Sequence, residues 1–283
     1  MNTKFFQLMC SIFAFASISF ADACVDGHGK YSPPADLLTK ATSGDVVAQE
    51  RIGSHYLSSE CPGDREKGGV FWLNKAASSG SATAQDELGW YYVQKIKEAP
   101  DNYEKAFKLL SEASDSGYMP ARFHLGLMYY GEGKHHDDKK AFLLIKQSAD
   151  AGITEAEIFC GNMLISGTGV EKNPVAGFGL VKHAAETGDS AALLMLSGLY
   201  LGGVGTPKNP SEAIRILKST VKLGGEVSIQ SAYMLGMSYA ECGSAVYDKK
   251  AAEKWFSMAA KSHYVDAEKK LTILNSPKPC VEI

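Results

Sequence analysis

Small and apolar residues return along this chain at intervals of about 36 positions. A small residue stands at Ala48, Ala84, Ala121, Ala156, Ala192 and Ser231. Four positions after each come Ile52, Leu88, Leu125, Cys160, Leu196 and Leu235, followed directly by Gly53, Gly89, Gly126, Gly161, Ser197 and Gly236. Eight positions after each stand Tyr56, Tyr92, Tyr129, Leu164, Tyr200 and Tyr239. Offsets of 0, 4 and 8 fall within about 80° on a helix of 3.6 residues per turn, so they predict one packed face on the first helix of each unit. Chemistry of a different kind marks a second helix. Its start is expected at Asn102, Asp137, Asn173, Asn209 and Asp248, whose side chains can accept from the free amides of a first turn, with Pro174 and Pro210 suited to the next position. Small residues at Ala106, Ala141, Gly177, Ala213 and Ala252, and again at Ala113, Ser148, Ala184, Thr220 and Ala259, predict a narrow, closely packed face. Gly80, Gly117, Gly152, Gly188 and Gly224 are expected to end these helices at positive φ, and His263 takes that place in the last unit.

The segments ARFHLGLMYYGEG at 121–133, GTGVEKNP at 167–174 and WLNKAASSG at 72–80 resemble the Sel-one-like repeat family, an α/α relative of the tetratricopeptide solenoids. The resemblance spans residues 44–274 as six units plus a terminal helix. The first two units and the last lack the Gly-x-Gly loop, and the fourth has Leu164 in place of Tyr. Members with one disulfide per repeat carry paired Cys in both helices; this chain looks like the less cysteine-rich kind.

A helix pair of this length cannot bury its apolar stripe alone, whereas stacked pairs share a continuous core. Period and resemblance together predict an all-α, right-handed α/α solenoid superhelix of about six helix-pair repeats. Residues 264–274 are expected to close it as half a unit, and Asp36–Thr42 as a short helix to cap the other end. The expected division is 1–21 leader, 22–43 N-terminal segment and cap, 44–274 solenoid, and 275–283 C-terminal tail.

The leader reading rests on Lys4, a largely apolar stretch from Phe5 to Phe20, and small residues Ser19 and Ala21 before a cleavage site. An apolar stretch of about 16 residues falls short of the ~20 that span a bilayer. Cleavage after Ala21 is expected to leave a chain with no transmembrane span, acting in the periplasm or outside a bacterial cell. An alternative cleavage would put Cys24 first, open to lipidation, although Asp22 fits a lipoprotein processing box poorly. Export sets an oxidising compartment in which Cys24, Cys61, Cys160, Cys242 and Cys280 remain. Cys160 stands where other units place Leu or Ile and is expected as a buried thiol. Cys24 with Cys61 and Cys242 with Cys280 are the sequence-nearest pairs. Each would close a loop of about 38 residues, worth up to roughly 4 kcal/mol by the loop-entropy argument.

With 29 Lys and Arg against 32 Asp and Glu in 283 residues, the formal charge is −3 and no basic block stands out. That argues against nucleic acid as the principal partner. The glycine loops follow a helix and no GxxxxGK occurs, so they are expected as turns rather than a phosphate cradle. His135, His136, Asp137 and Asp138 are consecutive on a short loop, too close together to enclose a tetrahedral metal without further ligands. His55 reads as half-buried packing and His183 as exposed. Some exported proteins with these repeats are associated with penicillin binding or β-lactam hydrolysis, and Ser219 to Lys222 match SxxK, but no KTG or SDN accompanies them. No metal or cofactor is expected.

The remaining place for function is a surface. Offset 2 of the first helices reads Glu50, Asp86, Phe123, Ile158, Leu194 and Tyr233, and offset 6 includes Trp90, Leu127 and Met237. These side chains are expected either to contact neighbouring repeats or to line a groove on the concave side, acidic at its N-terminal end and aromatic at its C-terminal end. The groove residues of that reading are Trp90, Phe123, Leu127, Ile158, Leu194, Tyr233 and Met237. The function expected is a non-catalytic, exported module, monomeric, that holds another protein or peptide as an adaptor, inhibitor or immunity-type binder. The alternative is a weak hydrolase of β-lactam or cell-wall amides using Ser219 and Lys222.

Overall fold

The computed structural model describes residues 33–57 and 65–275. Among them the chain forms fourteen α-helices and no strand. They fall into two compact units that divide between Ala151 and Gly152. In the first unit, α1 (Ala35–Thr42) precedes three antiparallel pairs: α2 (Val46–Leu57) with α3 (Arg65–Ser78), α4 (Ala82–Gln94) with α5 (Asp101–Asp115), and α6 (Met119–Tyr130) with α7 (Asp138–Asp150). The second unit pairs α8 (Thr154–Ser166) with α9 (Pro174–Glu186), α10 (Ser190–Gly202) with α11 (Pro210–Thr220), and α12 (Gly225–Ala240) with α13 (Lys249–Lys261). It closes with α14 (Val265–Leu274).

The caps follow the expected chemistry at four of five positions. Asp137 accepts from the Lys139 and Lys140 amides, Asn173 from Ala176, Asn209 from Glu212 and Asp248 from Ala251. Asn102 is a correction. Helix α5 begins two residues earlier than a cap at Asn102 would start it, at Asp101 after Pro100, and the Asn102 side chain turns back to donate to the Lys95 carbonyl at 2.8 Å. Pro100 brings the chain into helical geometry upstream, leaving Asn102 inside the first turn and placed to tie down the preceding loop. The helix-ending glycines adopt φ between 79° and 90°, and His263 takes φ 59° in their place.

Within each pair the consensus glycine of the first helix meets a large side chain of the second. A Cβ on Gly53 would lie 2.6 Å from Leu73 Cγ; on Gly89, 2.8 Å from Leu110 Cγ; on Gly126, 2.6 Å from Ile145 Cγ1; on Gly236, 2.5 Å from the Phe256 ring. Glycine at this offset therefore sets the spacing of the pair, because any side chain would collide with the knob seated against it. Ser197 fills the position in the fifth repeat, fully buried, with its hydroxyl donating to the Leu194 carbonyl.

The core passes from pair to pair. In the first unit Ala41 of α1, Ala48 and Ile52 of α2 and Trp72 of α3 cluster together, and Leu73, Ala76 and Ala77 of α3 join Ala84 and Leu88 of α4. In the second unit Phe256 and Ala259 of α13 pack with Ala267 and Leu274 of α14. Both expected terminal helices thus cover the apolar side of a neighbouring pair. Cys160 is wholly buried as a thiol, and Cys242 is disulfide-bonded. The leader at 1–21 and Cys24, Cys61 and Cys280 lie outside the described residues.

Candidate interaction surface

Within each unit the first helices of neighbouring repeats touch one another, α2 with α4 and α4 with α6 in one, α10 with α12 in the other. This places them on the inner side of the stack, and it decides the fate of the expected groove residues. Trp90, Phe123, Leu127 and Ile158 are 4 to 8% exposed and belong to the packing between helices. Trp90 stacks on the His124 ring at 4.5 Å, which is a contact from α4 to α6. Offset 6 leaves the consensus face, but at Trp90 it meets the next first helix of the same unit instead of solvent. Leu194, Tyr233 and Met237 of the second unit are half-buried. Tyr233 stands 4.9 Å from the Tyr264 ring and 5.8 Å from Phe256.

In the first unit, three carboxylates gather on the same inner helices. Glu50 of α2 accepts from the Ser81 hydroxyl, Glu87 of α4 accepts from Ser54, and Asp86 is 2.6 Å from His124 Nδ1. Burial pushes the Glu87 carboxyl above its usual range; the Ser54 hydrogen bond opposes this, while the charges of Asp86 and Glu50 add to it. Tyr118, at the start of α6, is raised by burial first, countered by its bond with Thr83, and further by Asp86, Glu87 and Glu50. One tyrosine thus feels all three acids. The nearby carboxylates add negative charge around Glu87 and Tyr118, while His124 pairs with Asp86 within the same group. Glu50 and Asp86 stand out in the offset-2 series. Glu87 and His124 do not, although offset 3 (Arg51, Glu87, His124) carries the signal that finds them.

Elsewhere the chemistry is structural. The His135 ring stacks on Phe107 at 3.9 Å and on Tyr103 at 5.8 Å, and Asp137 is a helix cap. Among the described residues no group of three or more His, Cys, Asp or Glu could hold a metal ion. The Ser219 hydroxyl donates to the Ile216 carbonyl of its own helix. His183, expected as exposed, is exposed and ion-paired to buried Glu157 at 2.9 Å. No helix among the described residues is long and apolar enough to cross a membrane.

Antiparallel pairs with a shared inner face and a recurring glycine at the pair interface define a tetratricopeptide-like helical-repeat protein. The Sel1 repeat pattern matches residues 46–81, 82–118, 120–153, 154–189, 190–225 and 229–264, so the chain belongs to the Sel1 repeat family. Its fold is similar to that of c5321, described as a protective antigen of uropathogenic Escherichia coli strains with an SLR fold. The TM-score is 0.68 at 22% identity over 84% of this chain and 50% of that one. A Sel1 repeat protein from Oxalobacter formigenes matches with TM-score 0.67 at 22% identity over 83% of this chain and 91% of that one. In sequence, the sel1-like repeat-containing protein L21 of Acanthamoeba polyphaga mimivirus is 30% identical over 93 residues, 32% of this chain and 16% of the viral protein. The chain thus spans about half of c5321 and a smaller part of L21. Sel1 repeats are helical scaffolds that generally mediate protein–protein interaction and are generally non-catalytic.

Proposed function

We propose that this protein is an exported, non-catalytic binding module that holds another protein on the inner, first-helix faces of its repeats. The observation that carries the reading is the convergence of Glu50, Asp86 and Glu87 beside Tyr118 on the inner helices of the first unit, a group of three carboxylates with the His124 ring paired to one of them. Its partner presents lysine or arginine there. In the second unit, half-buried Leu194, Tyr233 and Met237 offer apolar contact to a partner's non-polar side chains. The leader sequence and the disulfide at Cys242 support action in the periplasm or outside the cell, as an adaptor, inhibitor or immunity-type binder.

Affinity capture from envelope and culture fractions tests this, using the mature chain beside a Glu50→Gln/Glu87→Gln variant that keeps the hydrogen-bond acceptors and removes the charge. A partner retained by the native chain, lost with the variant and released by salt would fit an electrostatic face. Equal capture by both chains would exclude it.

A further inference from the structure

In the third repeat the loop between α6 and α7 is docked on α5 of the second repeat. Gly133 permits the approach, since a Cβ there would stand 2.8 Å from the Tyr103 ring and from its hydroxyl oxygen. The His135 amide donates to that hydroxyl at 3.2 Å, and the Lys134 ammonium donates to Glu104 of the same helix at 2.9 Å. The His135 ring stacks on Phe107, with centroids 3.9 Å apart and planes inclined by 23°, and on Tyr103 at 5.8 Å and 13°. Phe107 in turn meets Tyr129 of α6 edge-on at 5.5 Å. The second unit repeats this docking without a histidine. A Cβ on Gly205, in the loop between α10 and α11, would lie 2.8 Å from Phe178 Cβ of α9, and Phe178 meets Tyr200 edge-on at 5.4 Å. Two residues before the helix cap, His135 precedes Asp137 in one loop and Pro207 precedes Asn209 in the other. One loop thus carries a titratable ring where its counterpart carries a ring that cannot titrate.

The His135 side chain is 29% exposed, but its Nε2 is buried without a hydrogen-bond partner, and the Glu104 carboxylate stands 3.7 Å from it. A neutral ring leaves that nitrogen unpaired. A protonated ring carries an N–H on both nitrogens and a charge, which an opposite charge within about 4–6 Å favours. The faces of Phe107 and Tyr103 attract a cation as well. The hydrogen bond and charge of Lys134 hold the Glu104 carboxyl below its ordinary range, and His135 adds to the effect, so the anion persists in mild acid. Lys134 opposes a second positive charge, but is itself paired with Glu104. Of the other charged groups near the ring, His136 lies 3.9 Å from Asp138, Asp137 caps α7, and the Lys140 ammonium lies over Tyr129. We propose that His135 is a pH-responsive staple between repeats: its protonation tightens the third repeat's loop onto α5, and its deprotonation loosens it. The second and third repeats also carry Asp86, Glu87 and His124, so the staple tunes the rigidity of the junction on which those groups sit. It does not depend on their binding a partner.

Hydrogen exchange of the oxidised, mature chain, read by mass spectrometry and corrected for the intrinsic pH dependence of amide exchange, tests this. Protection of the segment 131–137 should be about threefold greater near about pH 5.5 than near about pH 8, the range over which histidine changes charge. His135→Gln should abolish that dependence, and Glu104→Gln should remove at least about half of it. The segment 203–209, with Pro207 in the equivalent place, should show none and serves as the reference within the same molecule. An unaltered circular-dichroism spectrum verifies the fold of each variant. Glu104 is 53% exposed, so its replacement decides the matter even if His135→Gln fails to fold. Equal or lower protection at the acidic pH, full dependence retained in either folded variant, or the same change in 203–209 would overturn the proposal.

Discussion

His263 holds φ 59°, a left-handed geometry that the five preceding repeats give to glycine. A side chain there costs about 1 to 2 kcal/mol relative to an unstrained residue, and glycine avoids most of it. His263→Gly should therefore stabilise the protein by about 1 kcal/mol, read as a rise of roughly 2 to 4 °C in thermal midpoint. A second residue-scale prediction concerns His183. Its hydrogen bond to buried Glu157, and then the charge of that carboxylate, raise its pKa, with Glu186 adding to the effect. A raised folded-state pKa contributes stability that is fully present below the unfolded value of about 6.5 and is lost as pH rises through the folded value above it. The difference in melting temperature between the native chain and His183→Gln should accordingly be largest near pH 5.5 and shrink toward pH 8.5. A constant difference would show that charge on His183 contributes nothing. At this scale the helix-ending glycines and four Asp and Asn caps were legible from residue type and spacing. Asn102 was not, since Pro100 moved the helix start and no rule of cap composition reports which of two nearby residues begins the turn.

The pair α8 and α9 separates two roles for glycine within one element. A Cβ on Gly161 would stand 2.9 Å from the Gly177 carbonyl oxygen and 2.8 Å from Val181 Cγ2, while one on Gly179 meets nothing within 4 Å. Backbone cannot turn aside as a flexible side chain can. Gly161→Ala should destabilise by about 1 to 3 kcal/mol despite alanine's better helix propensity. Gly179→Ala, which gains propensity and loses no space, should stabilise by up to about 1 kcal/mol. Chemical denaturation of both variants gives the two signs directly; a stabilised Gly161→Ala would show that the helices separate easily. The same close packing explains what periodicity could and could not say about the surface. Offsets 0, 4 and 8 identified the face turned toward the second helix, because that contact recurs in every repeat. Trp90 and Phe123 looked available to a ligand because a single-helix projection has no neighbour in it; in the stack, Trp90 meets His124 of the next first helix. The carboxylates escaped partial burial as a clue for a related reason, since Glu87 and Asp86 acquire their environment from Ser54, His124 and Tyr118 on adjoining helices.

Within each unit, the regular repeat lets one pair's core continue into the pair after it, and the terminal helices α1 and α14 each cover one apolar side of a neighbouring pair. Cross-links near the ends would suppress fraying at the places with fewest neighbours. The odd cysteine is accounted for on the same argument: Cys160 lies in the interior of α8 at a position for a hydrophobe and is wholly buried, while Cys242 follows α12 in a turn near the C-terminal end and is disulfide-bonded. Secreted from its own leader, the chain should be recovered with a mass lacking residues 1–21 and with one thiol that reacts with an alkylating reagent only after denaturation. Peptide mapping without reductant should join Cys242 to Cys280 and Cys24 to Cys61. Reduction should then lower stability by up to roughly 4 kcal/mol for each cross-link. An intact leader would place the protein in a different compartment, and a second alkylatable thiol would leave one end of the repeat stack without its covalent restraint, so that fraying there should appear as rapid amide exchange in the terminal helix on that side.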